Sequence, residues 1–399
     1  MKILVISHMY PSIMKEIYGI FVHEQTIELV KHGCEIKVIS PVPWAPFPIN
    51  RMNAKWKAYS QIPYRAIIDG IEINYPRYLA FPKMKFFASS GFWMYQGIKN
   101  LVNRIWHEFS FDLIHAHVVL PDGFAAMLIN KRYHKPLIVT IHGQDIYMTI
   151  DKNQKCREYI YQVLKSARRV VVVSSILKRL ITNNFFGLDN KIQIIPNGVP
   201  IVKFSKNMSG MMDKYKDKKI ILSVGYLIER KAHAYILEAL PTIVKRHPNI
   251  IYLIVGNGVE EERLKNQAKH LNIEHYVEFL GQMSHLTAMY LMSICNVFVL
   301  PSWNEAFGVV YIEAMAHGKP IIACRDEGIE DVVTDGETGL LVKPKNVESL
   351  VEAIDFLLSN PDECKAMGER ARELVLKNYT WQKNAKKTLE IYHELRGRL

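Results

Sequence analysis

Val297-Phe298-Val299-Leu300 is an unbroken apolar run that stops at Pro301, and the residues after it restrict the fold most tightly. A short apolar run without polar alternation reads as a buried parallel strand. Ser302-Trp303-Asn304 form a loop, Glu305 stands at the mouth of the next helix, and Gly308 opens it. Val309 to His317 has helix-compatible residues, and Gly318 stands where a helix C-terminal glycine belongs. Strand, glycine-bearing loop and helix in this order belong to a layered α/β architecture.

The same unit carries chemistry. The first helical N–H groups have no partner within the helix and point beyond the strand end. Gly308 has no side chain, so a phosphate can approach the backbone closely. Glu305 and Glu313 flank this turn, the second about one turn inside the helix. A carboxylate does not bind phosphate, but it accepts hydrogen bonds from hydroxyls. An anion cradle between two hydroxyl acceptors suits a sugar nucleotide, with one acceptor for the ribose and one for a sugar. Taken singly, either glutamate reads better as a solvated residue of an ordinary βα unit.

A chain of 399 residues that is 49% apolar has material for two cores. No apolar run reaches the ~20 residues that span a bilayer. The apolar part of Met1–His8 is too short for a signal peptide and reads as a first strand, so the expected compartment is the cytoplasm. Five scattered cysteines, none in Cys-x-x-Cys, support neither a disulfide framework nor a zinc site.

The net charge of +12 lies wholly in the first half, where 25 basic residues face 13 acidic ones over residues 1–200. A one-sided basic field points to an anionic partner. No nucleic-acid-binding motif is present, so nucleic acid is not expected. An anionic membrane surface or an anionic lipid-linked acceptor fits better, and a solubilising excess without a partner is the plainer alternative.

Along the first half, Lys2–Ser7 reads as a strand, His8–Ile20 as a loop and Phe21–His32 as an amphipathic helix closed by Gly33. Cys34–Ser40 is the second strand. The Gly-x-Gly-x-x-Gly of a dinucleotide-binding dehydrogenase is absent after strand one. Residues 41–65 and 83–106 interleave cations such as Arg51, Lys55, Lys83, Lys85 and Lys99 with Trp44, Trp56, Phe86, Phe92 and Trp93. That pattern suits a membrane interface, and it equally suits a helix whose rings are buried in the core. Phe111–His117 is a strand with His115 and His117 on one face. No third ligand accompanies this pair, so no metal is expected. Leu137–Ile141 runs into His142-Gly143, Arg168–Ser175 is a further strand, and Lys191–Pro196 closes the first domain, 1–198. A linker is expected over 199–218.

The second domain, 219–379, starts with a strand that ends at Val224-Gly225. The loop after it carries Arg230 and Lys231, two cations suited to a diphosphate. Ile250–Gly258 is a strand with a glycine-rich end, and Val277–Met283 a strand and turn. Ile321–Cys324 is another strand, and Thr380–Leu399 a last helix.

The string Ser302…Glu305-Ala-Phe-Gly-Val-Val-Tyr-Ile-Glu313-Ala-Met-Ala…Gly318-Lys-Pro-Ile-Ile-Ala323 resembles the Glu-x7-Glu signature of retaining GT-B glycosyltransferases. It resembles in particular glycosyltransferase family 4, in its bacterial surface-polysaccharide, teichuronic-acid-type members. The resemblance implies two Rossmann-like doubly wound domains facing across a cleft, with the tail helix, 380–399, crossing back to the first. It implies transfer of a sugar from a nucleotide-diphosphate sugar to a glycan acceptor with retention, without a metal and with no cofactor beyond that co-substrate. No Asp-x-Asp occurs in the chain, in keeping with metal independence.

In the implied site Glu305 holds hydroxyls of the transferred sugar and Glu313 the ribose. Lys231, Arg230, Gly225 and the backbone at Phe307-Gly308-Val309 hold the diphosphate, and the turn at Met283 meets the base. His117 lines the reacting face. Gly19, His142 and Asp145 lie on the acceptor side, although Gly19 also reads as a turn glycine and Asp145 as a cap of the following segment. The family's usual arginine after Gly225 is Tyr226 here, and its glycine after Lys231 is Ala232. A sugar-nucleotide epimerase of the same build and an inactive membrane-associated scaffold are the alternatives to a lipid-linked glycan transferase peripheral to the inner membrane face.

Overall fold

The computed structural model describes residues 1–14, 16–52, 54–81, 86–200 and 214–397. Lys83, Lys85 and most of the expected linker, at 201–213, lie outside these residues. The chain divides into two compact units, Met1–Asn197 with Trp381–Leu399, and Gly198–Thr380.

The described strands of the first unit are β1 (Lys2–Ile6), β2 (Glu35–Ile39), β3 (Val42–Pro43), β4 (Arg65–Ile68), β5 (Ile71–Asn74) and β6 (Arg77–Tyr78). They continue with β7 (Leu113–His117), β8 (Leu137–Ile141), β9 (Arg169–Val172) and β10 (Ile192–Ile194). Eight of them form one sheet in the order β10-β9-β8-β7-β1-β2-β5-β4, and β3 pairs with β6. Every pairing in the large sheet is parallel except β4 with β5. The centre of the sheet is buried on both faces: Ile3, Leu4, Val5 and Ile6 of β1 are all buried, as are all five residues of β7 and of β8. Such burial stabilises by roughly 1.5–3 kcal/mol for each large aliphatic side chain.

The β4–β5 hairpin departs from the sequence reading, which left that stretch without strands. It turns at Asp69-Gly70, where both residues have positive φ, 49° and 77°. This is the conformation Asp-Gly favours in a two-residue hairpin turn. Helix Ser90–Glu108 turns aliphatic side chains, rather than its rings, to the core. Met94, Ile98, Val102 and Ile105 face the core, whereas Phe92 is 42% exposed. Its spacing buries aliphatic residues and leaves rings at the margin.

The C-terminal helix Trp381–Arg396 packs in the first unit. Gln25 donates to Asn384 Oδ1 at 2.6 Å, and Asn384 donates to the Pro196 carbonyl at 2.7 Å. Tyr392 Oη lies 2.6 Å from His115 Nδ1, and Arg169 pairs with Glu394. His115 is thereby used to fasten β7 to this helix.

The second unit holds β11 (Lys219–Val224), β12 (Ile250–Val255), β13 (Val277–Gly281), β14 (Val297–Val299), β15 (Ile321–Cys324) and β16 (Leu340–Val342). They form an all-parallel sheet in the order β13-β12-β11-β14-β15-β16. Val297, Phe298, Val299 and Leu300 are each fully buried, between β11 and β15. In a parallel sheet every strand ends at the same edge, so the loops after β11, β12, β13 and β14 emerge together. Among the described residues, no helix is long and apolar enough to cross a membrane.

Candidate functional site

In the second unit the loops after β11 and β14 meet. The Trp303 N–H donates to the Arg230 carbonyl at 3.0 Å, tying one loop to the other. This brings Arg230 and Lys231, from the end of β11, together with Glu305, from the end of β14. Lys231 donates to Glu305 Oε2, Arg230 Nη1 lies 3.7 Å from the same oxygen, and Ser302 Oγ donates to it at 3.3 Å. All three side chains are largely shielded from solvent. Burial alone would raise the Glu305 carboxyl. The Lys231 charge and hydrogen bond, with Arg230 and Ser302, outweigh it and hold the group below its ordinary value, so Glu305 is anionic.

Gly308 opens helix Val309–Ala316 with φ 75°. A Cβ there would sit 2.4 Å from the Tyr311 ring and 3.2 Å from Glu305 Cγ, so the position demands glycine twice over. Tyr311 Oη lies 2.7 Å from Ser302 Oγ and 2.5 Å from the Leu300 carbonyl oxygen, holding the loop against the strand end. Phe307 is 2% exposed and packs near Tyr379, so only its backbone is available to a ligand. Gly225 is less constrained: a Cβ there meets neighbours only at 3.8 Å.

Glu313 is buried within the helix and accepts from His285 Nε2 at 2.6 Å. His285 starts helix His285–Ile294, directly after the turn that carries Met283, whose side chain is half-buried. The turn after β13 and the helix after β14 are therefore joined through Glu313.

Three further residues complete this unit, and of these Glu327 is outside the sequence reading. Glu327 lies beyond β15, and its carboxylate accepts from the N–H groups of Asn304 at 2.8 Å and Glu305 at 2.7 Å. The Gly328 N–H returns a bond to the Glu305 carbonyl at 3.0 Å. Burial raises the Glu327 carboxyl, the two N–H donors oppose it, and the Glu305 charge adds to it; the balance is upward. Gly256 and Gly258 let the loop after β11 pass close by. A Cβ at either would fall 1.9 Å from the Gly225 oxygen or 2.2 Å from the Leu227 oxygen.

In the first unit, His117 ends β7 and His142 follows β8. His117 Nδ1 lies 3.1 Å from His142 Nε2, with the rings 11° from parallel. His115 stacks on the other side of His117, with centroids 4.3 Å apart. Burial pushes His115 and His142 down to about 3 and His117 well below its ordinary value, so all three rings are neutral near pH 7. Gly19 has φ 71° and precedes helix Ile20–Lys31. A Cβ there would lie 2.3 Å from the Met9 carbonyl, so close approach of the loop after β1 requires the glycine.

Asp145 is the site residue whose acceptor-facing reading the geometry does not support. Oδ2 accepts from the Val119 N–H at 3.0 Å, and Oδ1 from those of His142 at 3.2 Å and Gly143 at 2.8 Å. Its carboxylate braces two loops instead, and it does not cap the segment that follows, whose N-cap is Gly143 without a side-chain bond. His8 also belongs to this region. Its backbone N–H and ring Nδ1 both bond Asp122, which is fully buried. Sequence reading singled out neither residue. Among the described residues, no group of three or more His, Cys, Asp or Glu side chains could hold a metal ion.

Residues 19–203 match the model of Glycosyltransferase Family 4, and residues 206–374 that of Glycosyl transferases group 1. TuaC of Bacillus subtilis, assigned by name to teichuronic acid biosynthesis, is 29% identical over 89% of this chain and 88% of that protein. Glycogen synthase of Mycobacterium tuberculosis is 24% identical over 98% of this chain and 94% of its own. Among solved structures, sucrose-phosphate synthase from Thermosynechococcus elongatus superposes with TM-score 0.82 and 21% identity over the whole of both chains. HepE of Anabaena, in complex with UDP, superposes with TM-score 0.75 and 17% identity over 99% of this chain and 100% of its own. These structures share the GT-B fold.

Proposed function

We propose that this chain, a glycosyltransferase of the group 1 family, moves a sugar from a nucleotide-diphosphate sugar to a lipid-linked glycan acceptor with retention at the anomeric carbon. The observation that carries the donor half is the convergence of Arg230, Lys231 and Glu305 beside the glycine-opened helix Val309–Ala316. Two cations and helical N–H groups suit a departing diphosphate, whose charge grows as the glycosidic bond breaks. Glu305 suits the hydroxyls of the sugar, Glu313 those of the ribose, and the backbone around Met283 the base. His117 faces the reacting sugar as a neutral imidazole. HepE was solved with UDP and with UDP-glucose, which makes UDP-sugars the first donors to try.

The test is incubation with UDP-, GDP- and ADP-sugars, with and without lipid-linked acceptors, following nucleotide release. The anomeric configuration of the product is read by proton NMR. Acceptor-dependent release from an α-linked donor with an α-linked product is expected. Epimerised free sugar nucleotide, or an inverted product, overturns the reading.

We also propose that the enzyme works at the inner membrane face as a peripheral protein making a surface polysaccharide. An apolar groove of about 500 Å³ in the first unit is lined by Phe81, Phe86, Phe92, Trp93, Phe124 and Tyr159, with Phe86 71% exposed. Lys152 stands 5.2 Å from the Phe87 ring and Lys155 5.7 Å from that of Tyr159. Rings at headgroup depth with cations beside them suit anionic lipid. Sedimentation with vesicles containing phosphatidylglycerol, but not with phosphatidylcholine alone, is the expected result. Equal behaviour in both overturns it.

A further inference from the structure

We propose that Glu305 is the resident counter-anion of the diphosphate site. In the free protein its carboxylate holds the Arg230–Lys231 pair, and an arriving diphosphate takes that pair over and releases the carboxylate to the sugar hydroxyls. This rests on the donor reading above and adds an exchange step to it.

Two adjacent, shielded cations need an anion nearby, since an uncompensated buried charge is strongly destabilising. Glu305 supplies one, but incompletely. Lys231, Arg230 and Ser302 all converge on the single oxygen Oε2. Arg230 Nη1, at 3.7 Å, is beyond hydrogen-bond reach and is left buried without a partner. A guanidinium nitrogen without an acceptor is what a half-filled anion site looks like. A diphosphate brings more charge and more oxygens than one carboxylate oxygen, so it can satisfy both cations at once.

The loop is arranged so that the exchange needs only the side chain. Glu327 fixes the Glu305 N–H and Gly328 fixes its carbonyl. The Glu305 backbone therefore stays in place while its carboxylate turns from the cations to the hydroxyls of the donor. Donor binding and positioning of the hydroxyl acceptor become one event, and the free enzyme keeps its cations partly compensated.

The proposal makes a prediction opposite in sign to that for a simple ligand contact. Calorimetric titration with UDP, GDP, ADP and the matching nucleosides compares the wild-type chain with Glu305→Gln. Glutamine keeps the shape and removes the competing charge, so the diphosphate that binds should bind about tenfold tighter. Nucleoside affinity should not change. Ser302→Ala, which removes one of the bonds holding the carboxylate, should shift diphosphate affinity in the same direction by less. It serves also where Glu305→Gln folds poorly, and ligand-induced gains in melting temperature provide a second readout. Unchanged or weaker diphosphate binding in both variants overturns the exchange while leaving the donor site standing. Absence of diphosphate binding to every protein overturns the donor reading, and the exchange with it.

Discussion

His117 Nδ1 and His142 Nε2 face each other across 3.1 Å, and the far nitrogen of His142, Nδ1, is buried without a partner. A buried N–H without an acceptor is costlier than a buried bare nitrogen. The proton of His142 therefore belongs on Nε2, where it donates to His117 and leaves His117 with an N–H on Nε2. In the proposed site His117 would then offer the substrate a donor. Replacing His142 by Gln, which keeps an N–H donor, should retain most of the transfer rate, whereas His142→Leu should lower kcat about 10- to 100-fold with folding retained. Nitrogen-15 NMR of the His117 ring reads the tautomer directly, and a proton on Nδ1 of wild-type His117 would contradict the assignment.

The same burial sets an acid limit on stability. His115 and His142 are held down to about 3 in the folded chain, against ~6.5 when unfolded. Between these values the unfolded chain binds more protons than the folded one. Stability is therefore complete above pH ~6.5 and falls as pH drops through that window, by up to ~1.4 kcal/mol per pH unit for each such imidazole. Melting curves from pH 7.5 to 4 should show this fall, and His142→Gln should make it shallower. A melting temperature indifferent to pH over that range would contradict it.

The glycines of the site separate backbone need from ligand need. Gly19→Ala meets the Met9 carbonyl at 2.3 Å with φ 71°, and should cost roughly 2–4 kcal/mol of stability in a denaturant titration. Gly225→Ala meets nothing nearer than 3.8 Å and should change stability by no more than ~0.5 kcal/mol. Any loss of transfer in Gly225→Ala then reports on the ligand, and equal destabilisation of the two variants would refute this distinction.

Glu327 is a positioning residue. It holds the N–H groups of Asn304 and Glu305, and Asn304 itself sits at φ 53°. Glu327→Ala removes both acceptors and should cost about 1–3 kcal/mol. It should also lower kcat more than it raises KM, since it blurs the placement of Glu305 without removing a binding cation. Glu327→Gln, which keeps an acceptor oxygen, should recover part of the rate. A change confined to KM would point instead to direct contact with the donor.

How much of this could be read from the chain depended on distance along it. The unit from Val297 to Gly318 was legible because strand, loop, positive-φ glycine and helix follow one another. Gly308 and Gly318 have φ of 75° and 72°, as a helix opener and closer of this kind require. Glu327 was not legible, because it acts 22 residues away on backbone N–H groups, which leave no mark in the sequence. The bond from His285 to Glu313 spans 28 residues and was hidden for the same reason. The glycine-rich end after β12 was visible, but the close approach of the β11 loop that demands Gly256 and Gly258 was not. Asp145 was open to two readings, an acceptor-side carboxylate and a cap of the following segment. A carboxylate beside a strand-end histidine reads as chemistry, and only the three N–H groups around it reveal a brace. The Asp69-Gly70 hairpin was a local signal that the basic, aromatic character of its surroundings obscured.

Glu305 is central to the proposed chemistry, and its most direct measurement is the transfer rate of Glu305→Gln at saturating donor and acceptor, with folding checked by its melting curve. A carboxylate that orients the transferred sugar should leave a variant that binds nucleoside diphosphate well yet transfers sugar at least ~100-fold more slowly. Transfer at the full wild-type rate would contradict the site.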